Sequence, residues 1–276
     1  MRKTIILGLT GNLSRVLAKQ FPHALIIPKN QYMAWLKNPT YAYEFFLGSR
    51  SKQSEIDVFN CAGVTNSLRP SDEIHLVNYN LPLFLSEISS KMNFRLITFG
   101  TVMEQLPNYA KSNPYLDSKF RFFEAYTSNK EWPRFNLHIQ MHTLYGGPNS
   151  NSHMFLGQIY DAVMNRTKFE MSSGEQIREY HHINDDAAAI KILTTEFKGG
   201  VKSVSHGDPK KLKDIATDVF EYYGCRHLLN ISAHKTNEND NLDVVFERSA
   251  ELFSVEFRPT ISGITSWLDE LGCVHA

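Results

Sequence analysis

The sequence predicts an α/β protein built around a buried parallel β-sheet. In the N-terminal half, short β-branched runs alternate with longer amphipathic segments, which is the pattern of βαβ units. The chain has 276 residues, 42% of them hydrophobic, which is enough for a full core. A stretch rich in glycine, proline, asparagine and serine interrupts the pattern at 146–152. We therefore expect one domain over 1–150 and a smaller C-terminal lobe over 151–276, with 178–206 returning to the first domain.

The individual elements follow from apolar runs for the strands and from helix-start residues for the helices. Six strands are predicted: Lys3–Leu7, Ala24–Ile27, Val58–Asn60, Phe94–Thr98, Asn136–Met141 and Val201–Ser205. Asn, Ser, Asp or Pro stands near the start of the first three helices, which are Leu13–Lys19, Asp72–Lys91 and Asn113–Thr127. Later helices are expected at His153–Asn165, Asp185–Glu196, Lys211–Tyr223 and Ile264–Leu271, and Gly224 ends the third of these.

Composition excludes several classes of function. The 29 basic and 29 acidic residues cancel, so the chain lacks the broad positive field that non-specific nucleic-acid binding requires. Apolar runs are short, and we expect no membrane span or signal peptide and a cytoplasmic location. The 3 cysteines fit neither a disulfide framework nor a zinc spacing, so reduced thiols are expected.

Two glycines follow the first strand where it passes into a helix. This geometry lets backbone amides and a helix N-terminus approach a pyrophosphate, although the same turn also occurs without a ligand. We expect a nucleotide here, held by Gly8, Thr10, Gly11, Asn12 and Leu13. Ser14 replaces the third glycine of the usual fingerprint and is small enough for close packing of helix on strand.

The residue after the second strand bears on the choice of cofactor. An acidic residue there would accept hydrogen bonds from a free adenosine ribose, but the sequence continues with Pro28 and Lys29. A lysine favours a 2′-phosphate, and NADP is therefore predicted over NAD. The alternative is that Lys29 is an ordinary surface lysine.

A phenol and an ammonium lie four residues apart at Tyr115 and Lys119, and this spacing places them on one face of a helix. A neighbouring cation stabilises a phenolate and would lower the tyrosine pKa toward the range of acid–base catalysis. The same spacing recurs at Tyr126 and Lys130. Tyr115 follows a proline suited to a helix start, whereas Tyr126 leads into a helix exit, so the first pair is predicted to be catalytic.

Five stretches, in order, resemble the extended short-chain dehydrogenase/reductases of the nucleotide-sugar epimerase/dehydratase group. They are the Gly8 turn, Asn60-Cys61-Ala62-Gly63, the Tyr115 and Lys119 pair, Leu144-Tyr145-Gly146-Gly147-Pro148, and the segment from Gly174 to Asp186 that includes Arg178. The resemblance implies a doubly wound parallel Rossmann sheet with a smaller C-terminal substrate lobe. It also implies that Asn60, Ala62 and Gly63 lie beside the adenine ribose and that Lys119 holds the nicotinamide ribose.

The resemblance assigns further roles around Tyr115. The family has a Ser or Thr hydroxyl next to the tyrosine, but ungapped alignment places Phe99 at that position. Thr101 or Thr98 would supply the hydroxyl if the turn is shifted; Thr101 is preferred, and a site of only two residues is the alternative. Arg178 is predicted to bind the substrate diphosphate, with a surface salt bridge to Glu175 or Glu179 as the alternative.

Three more polar residues complete the predicted site. His142 is predicted to line the sugar pocket, with core packing as the alternative, and Asn66 is predicted as a further substrate contact. No metal site is expected, because the adjacent His181 and His182 point in different directions and no third ligand has suitable spacing. His182 is instead expected to have a structural role at the start of the following helix.

Together these features predict an NADP-dependent reductase of a nucleotide-activated 4-oxo-6-deoxy sugar. Dehydratases of the family carry an acidic pair directly after the catalytic threonine, and Gly100-Thr101-Val102 offers none. The alternatives are a sugar 4-epimerase that retains NAD and a non-catalytic dinucleotide-binding protein. The resemblance also implies a homodimer, in which the Asp72–Lys91 and Asn113–Thr127 helices form the contact.

Overall fold

The computed structural model describes residues 2–49, 55–106, 113–235 and 245–274. Strands alternate with helices along most of this chain. The strands are β1 Lys3–Leu7, β2 Leu25–Ile27, β3 Ile56–Asn60, β4 Arg95–Thr101, β5 Asn136–Met141, β6 Thr143–Tyr145, β7 Phe169–Glu170, β8 Ile177–Arg178, β9 Tyr180–His182, β10 Gly200–Ser203, β11 Lys210–Lys211 and β12 Leu229–Asn230.

The helices differ in how they begin. Pro28 precedes α2, and Pro39 and Pro114 open α3 and α6, as expected for a residue with a fixed φ and no amide hydrogen. The helices are α1 Asn12–Gln20, α2 Lys29–Lys37, α3 Pro39–Ser49, α4 Ser71–His75, α5 Leu81–Met92, α6 Pro114–Ser128, α7 Phe155–Asn165, α8 Ile183–Glu196, α9 Leu212–Tyr222 and α10 Thr260–Glu270.

A six-stranded, entirely parallel sheet combines strands of the N-terminal half with β10, in the strand order β10-β5-β4-β3-β1-β2. The strand order reverses direction between β1 and β3. In doubly wound sheets, ligands bind beyond the carboxyl ends of the strands at such a reversal. These ends are Leu7 and Asn60, which are paired in register, so the predicted nucleotide turn lies at the expected edge. The predicted Rossmann architecture is confirmed.

The chain forms two compact units. The first comprises residues 1–141 and 187–204, and the second comprises 142–186 and 205–276. The first unit thus ends before the expected 150, and its returning segment begins after the expected 178. Each unit has its own apolar core: Leu7, Val58 and Leu96 belong to that of the first, and Ile159 and Phe220 to that of the second.

Several predicted elements change in extent. The strand expected at Phe94–Thr98 continues to Thr101, so that Phe99 and Gly100 are strand residues rather than the start of a turn. The helix expected over Asp72–Lys91 consists of α4, a π-helical turn at Leu76–Asn80 and α5. Helices α2 and α3 were not predicted. Among the described residues, no helix combines the length and the hydropathy that crossing a membrane requires.

Candidate active site

The turn between β1 and α1 has the conformation that its glycines predict. Gly8 has φ +95°, and a Cβ atom there would lie 2.8 Å from the backbone nitrogen of Ala62. Gly11 is the N-cap of α1, and the buried Ser14 hydroxyl donates a 2.8 Å hydrogen bond to the Gly11 carbonyl. Replacement of the third glycine is therefore accommodated within the turn. Thr10, Gly11 and Asn12 are exposed.

A cleft within the first unit brings together residues predicted from separate motifs. Its walls include Asn60, Ala62, Thr98 and Lys119, together with Phe99. The Oδ1 atom of Asn60 is buried and has no hydrogen-bond partner among the described residues. A buried acceptor without a partner is costly unless a ligand or water satisfies it. The cleft therefore offers an unused acceptor at the strand reversal.

Asn78 supports the loop beside this cleft, and sequence reasoning missed it. Its amide exchanges hydrogen bonds with both backbone groups of Val64, at 2.8 and 2.9 Å, and donates to the Ser118 hydroxyl at 3.2 Å. The Asn78 side chain lies in the π-helical turn and is almost fully buried. It thus joins the chain after Ala62 to helix α6. No local pattern distinguished this asparagine from others in a helix.

Tyr115 and Lys119 lie in the first turns of α6. The Asn113 side chain caps this helix by accepting from the Leu116 amide at 2.9 Å. The Nζ atom of Lys119 donates a 2.6 Å hydrogen bond to the carbonyl of Phe99. Phe99 stands where a hydroxyl residue was expected, and its backbone carbonyl orients Lys119.

The electrostatics of this pair differ from the sequence prediction. Burial raises the pKa of the Tyr115 phenol to about 12, and the negative charge of Glu104 adds to the increase. Burial lowers the pKa of the Lys119 ammonium, and Glu104 opposes that change. In the free protein, the pKa of Tyr115 is therefore raised, where the neighbouring lysine alone predicted a decrease.

A buried polar network adjoins this pair and was missed from the sequence. Thr98 Oγ1 lies 2.8 Å from His138 Nδ1, and His138 Nε2 lies 2.7 Å from Glu104 Oε1. The Gln140 side chain donates to the same Glu104 oxygen at 3.0 Å. All four side chains are at most 1% exposed. We call this group the Glu104 network.

Strand register explains how the network forms. Thr98 pairs with His138 and Gly100 pairs with Gln140 in neighbouring strands, so these residues share one face of the sheet. A Cβ atom on Gly100 would overlap the Glu104 carboxylate and the His138 ring. Glycine at this position therefore provides the space for a buried carboxylate. The sequence signal for this network was the alternation of polar with apolar residues along β5.

Thr101 caps the short helix that follows β4. Its hydroxyl accepts from the Met103 amide at 3.4 Å, and the Glu104 carboxylate accepts from the Thr101 amide at 3.3 Å. These reciprocal bonds form a capping box on the short 3₁₀ helix Val102–Gln105. Of the two predicted threonines, Thr98 is the one whose side chain contacts the network.

The remaining predicted residues of the first unit lie at its surface. Lys29 begins α2, is 61% exposed and pairs with Glu73 at 3.3 Å. Arg69 binds the same carboxylate at 2.8 Å. Gly63 and Asn66 are exposed, and the Asn66 side chain accepts from the Leu68 amide at 2.9 Å.

Arg178 and His142 belong to the second unit. Arg178 is partly buried, and its Nη1 atom donates to the Ile177 carbonyl at 2.8 Å. The two carboxylates of the alternative prediction bond elsewhere: Glu175 pairs with Lys211 and Lys213, and Glu179 accepts from the Ser205 hydroxyl at 2.6 Å.

His142 lies in a buried cluster of titratable groups in the second unit. Its Nε2 atom is 3.3 Å from Glu179, and His181 Nε2 is 3.2 Å from the same carboxylate. His181 also contacts Asp186 at 2.7 Å. Three ligand atoms from His142, Glu179 and His181 lie within 4.8 Å of one another. Spacing in the sequence indicated no third ligand for His181, and the fold brings Glu179 and His142 beside it.

Burial and charge act in opposite directions on this cluster. Burial lowers the pKa of His142 to about 3, although Glu179 opposes the shift. Burial also disfavours the charged form of His181, but Asp186 and Glu179 outweigh it and raise the pKa of His181 to about 9. The adjacent His182 accepts from the Asn184 amide at 3.2 Å, at the start of α8.

The fold is shared with solved structures at low sequence identity. No protein-family model and no curated protein matches the chain. The dTDP-glucose 4,6-dehydratase of Bacillus anthracis str. Ames in complex with NAD is similar with a TM-score of 0.75 and 11% identity, over 98% of this chain and 96% of that one. The dTDP-4-dehydrorhamnose reductase of the same strain in complex with NADP gives a TM-score of 0.72 and 16% identity, over 98% and 99%. The UDP-N-acetylglucosamine 4-epimerase of Bacillus cereus gives 0.70 and 12%, over 98% and 99%. The chain therefore has the Rossmann fold of these nucleotide-sugar dehydratases, reductases and epimerases.

Proposed function

We propose that this protein is an NADP-dependent reductase of a nucleotide-activated 4-oxo-6-deoxy sugar. The observation that carries the proposal is the cleft in which Lys119 and Thr98 border the same space as Asn60 and Ala62. Lys119 and Thr98 are predicted to take part in the reaction, and Asn60 and Ala62 are predicted to contact the cofactor. Their convergence from separate parts of the chain supports one site for cofactor and substrate.

The residues present fit a dinucleotide. Gly8 permits the close approach of β1 to Ala62, and Gly11 is the exposed N-cap of α1, whose first residue Asn12 is also exposed. Asn60 supplies an unsatisfied acceptor suited to a hydroxyl or amide donor. When bound, NADPH would supply hydride to the ketone carbon.

Tyr115 is the proposed proton donor to the ketone oxygen. A phenol with a pKa of about 12 is protonated at neutral pH, so it begins the reaction as an acid. Reduction requires an acid at this point, whereas oxidation of a sugar hydroxyl, the first step of an epimerase, requires a base. A protonated Tyr115 is the form that the proposed reduction requires. Lys119 would hold the cofactor ribose and stabilise the developing phenolate.

Thr98 is the proposed hydroxyl beside Tyr115, in preference to Thr101. Thr98 borders the cleft, and its Oγ1 atom contacts His138. His138 in turn contacts Glu104, so the network holds the Thr98 hydroxyl at the border of the cleft. Glu104 and His138 are thus positioning residues, because they act through Thr98.

The same network argues against dehydration. Elimination of water needs an acid or base that contacts the sugar. Glu104 is the carboxylate nearest to Thr101 in the sequence. Its side chain is fully buried and accepts hydrogen bonds from His138, Gln140 and the Thr101 amide. This environment suits a carboxylate that orients other groups.

Preference for NADP rests on the two cations that meet at Glu73. Lys29 and Arg69 both pair with that carboxylate at the surface, close to the end of β2. A 2′-phosphate placed there would compete with Glu73 for the two cations.

The proposed nucleotide-sugar contact is Arg178, which would bind the diphosphate, with His142 and Asn66 as further candidates. Enzymes of the same fold are named for dTDP- and UDP-linked sugars. The planar guanidinium of Arg178 suits bidentate binding of phosphate oxygens.

A substrate screen tests the proposal directly. Purified protein is mixed with dTDP-, UDP- and GDP-linked 4-oxo-6-deoxy sugars, and the loss of NADPH or NADH absorbance is followed. We expect consumption of NADPH with at least one of these sugars. Absence of turnover with all of them would overturn the reductase assignment. Stoichiometric NAD that survives purification, together with interconversion of sugar epimers, would establish the epimerase instead.

We also propose a homodimer through α5 and α6, which lie side by side in the first unit. Light scattering on the purified protein would then give twice the 31.6 kDa mass of one chain. A single-chain mass over the micromolar range would contradict the dimer.

A further inference from the structure

The histidine–glutamate cluster of the second unit contains Glu179 and His181, which the proposed reaction does not use, beside His142. We define it by His142, Glu179 and His181, whose side chains are 7%, 2% and 0% exposed. Histidine and carboxylate side chains this deeply buried need strong compensating interactions. Three such groups with convergent ligand atoms form one of the common donor sets for a transition-metal ion.

The ligand atoms of the cluster lie close enough together to share one ion. Zinc binds imidazole nitrogen and carboxylate oxygen at about 2.0–2.2 Å, so neighbouring ligand atoms at tetrahedral angles lie about 3.3–3.5 Å apart. His142 Nε2 lies 3.3 Å from Glu179 Oε2, and His181 Nε2 lies 3.2 Å from Glu179 Oε1. The two contacts end on different oxygens of Glu179, and one ligand atom from each of the three residues lies within 4.8 Å of the others, so an ion would draw these atoms inward to bonding distance.

Asp186 orients His181 in the way that metal-bound histidines are oriented. Its Oδ1 atom lies 2.7 Å from His181 Nδ1, and both side chains are fully buried. A carboxylate at Nδ1 fixes the proton there and directs the Nε2 lone pair toward Glu179 and His142. The other Asp186 oxygen has no hydrogen-bond partner among the described residues. Two buried carboxylates around one imidazole thus leave negative charge for a cation to balance.

The surroundings fix Glu179 and provide a fourth position. One carboxylate oxygen accepts from the Gly207 amide at 2.7 Å and from the His206 amide. The other accepts from the Ser205 hydroxyl at 2.6 Å, and that hydroxyl also lies 3.2 Å from His142 Nε2. Ser205 Oγ therefore lies beside two of the three ligand groups and is the candidate for a fourth ligand, directly or through a water molecule.

His206 serves as an internal comparison. Its ring lies 4.4 Å from that of His181, between centroids, but both of its nitrogens bond to backbone groups. Nδ1 accepts from the Asp208 amide at 3.1 Å, and Nε2 contacts the Tyr180 carbonyl at 3.3 Å. Nδ1 also lies 3.5 Å from Glu179 Oε1, so His206 adjoins the cluster while both of its nitrogens contact backbone groups.

We propose that His142, His181 and Glu179 bind one zinc ion that stabilises the second unit. On binding, the ion takes the place of the proton on His181 Nε2, which is released to solvent. The role is structural, and no step of the proposed reduction passes through the metal.

Metal binding is tested without any substrate. The protein is treated with chelator, dialysed, and titrated with ZnCl2 in a calorimeter and with CoCl2 in a visible spectrometer. We expect one equivalent of each metal, the intense visible bands of tetrahedral Co²⁺, and a higher Tm in the presence of Zn²⁺. Binding below one tenth of an equivalent in the folded wild type would overturn the proposal.

Variants locate the ion among the 11 histidines of the chain. His142→Asn and Glu179→Gln should each lower zinc affinity at least 100-fold and abolish the cobalt bands. Asp186→Asn should weaken binding about 10- to 100-fold, because it removes only the orientation of His181. His206→Gln and the exposed His23→Asn should bind as the wild type does. Glu179→Gln also removes loop contacts, so a folded His142→Asn with wild-type zinc affinity is by itself enough to reject the site.

Discussion

The Nε2 atom of His138 lies 2.7 Å from the Oε1 atom of Glu104, and neither side chain has any exposed surface. This contact links the strand beside the cleft to the short turn after β4. His138 also contacts the Thr98 hydroxyl, which is proposed to polarise the ketone of the substrate. The charge of Glu104 contributes to the raised pKa of Tyr115.

Replacement of the proposed proton donor should remove turnover and leave cofactor binding. Tyr115→Phe should lower kcat by about 10²- to 10⁴-fold, because general acid catalysis contributes about that much. The dissociation constant for NADPH, measured by fluorescence titration, should change by less than a few-fold. Wild-type kcat in the variant would exclude Tyr115 as the acid.

Tyr126→Phe is the matched control, since Tyr126 opens the second Tyr-x-x-x-Lys sequence. Its phenol donates to the Asn136 carbonyl at 2.7 Å and lies 3.1 Å from the Gly200 carbonyl. Loss of this buried bond should cost about 1–3 kcal/mol in the free energy of unfolding, with kcat unchanged.

The charge of Glu104 should set the alkaline limit of activity. Tyr115 acts as an acid, so activity is present below its pKa and is lost as the pH rises through that value. Since Glu104 raises the pKa of both Tyr115 and Lys119, Glu104→Gln should move the alkaline limb of the kcat/KM profile to lower pH. Glu124→Gln, an exposed carboxylate on α6, should leave the profile in place. An unmoved limb in Glu104→Gln would disprove the coupling.

Gly100→Ala should destabilise the first unit. The added methyl group overlaps the Glu104 carboxylate and the His138 ring, and overpacking of this kind costs about 1–3 kcal/mol. Urea unfolding measures the change. Gly48→Ala on α3 is the control, because a Cβ atom there meets no neighbour within 4 Å, and it should be neutral or stabilising. Equal urea midpoints for the two variants would mean that the Glu104 network accommodates the added methyl group without strain.

The two threonines can be separated by isosteric replacement. Thr98→Val should lower kcat at least tenfold if its hydroxyl polarises the ketone. Thr101→Val should instead cost about 0.5–2 kcal/mol in unfolding free energy through the lost cap, with kcat retained. Steady-state kinetics and urea unfolding on both variants measure these effects. The reverse pattern would restore Thr101 as the catalytic hydroxyl.

Cofactor choice should depend on Lys29. Lys29→Ala should raise KM for NADPH about tenfold, corresponding to about 1.4 kcal/mol, and leave KM for NADH unchanged. Lys37→Ala, at the exposed end of the same helix, should affect neither. A parallel rise in both KM values would mean that Lys29 does not contact a 2′-phosphate.

Local sequence was sufficient wherever the determining interactions are local. The Gly8 turn follows from strand, glycine and helix in immediate succession, and β1 and β5 have the predicted bounds. The shared helix face of Tyr115 and Lys119 follows from i,i+4 geometry alone. Helices α2 and α3 escaped prediction because their aromatic residues contact the core of the first unit and leave no simple apolar face.

Tertiary structure decided the chemistry that depends on distant partners. Glu104 and His138 are 34 positions apart and meet only because β4 and β5 pair in register. The direction of the Tyr115 pKa shift follows from burial and from the charge of Glu104, neither of which a four-residue spacing contains. The ligand atoms of His142, Glu179 and His181 likewise converge only after β6 pairs with β9. The sequence by itself determined which residue types stand at the ends of strands and helices, whereas folding determined their charges and partners, because electrostatic interactions depend on distance and burial in space.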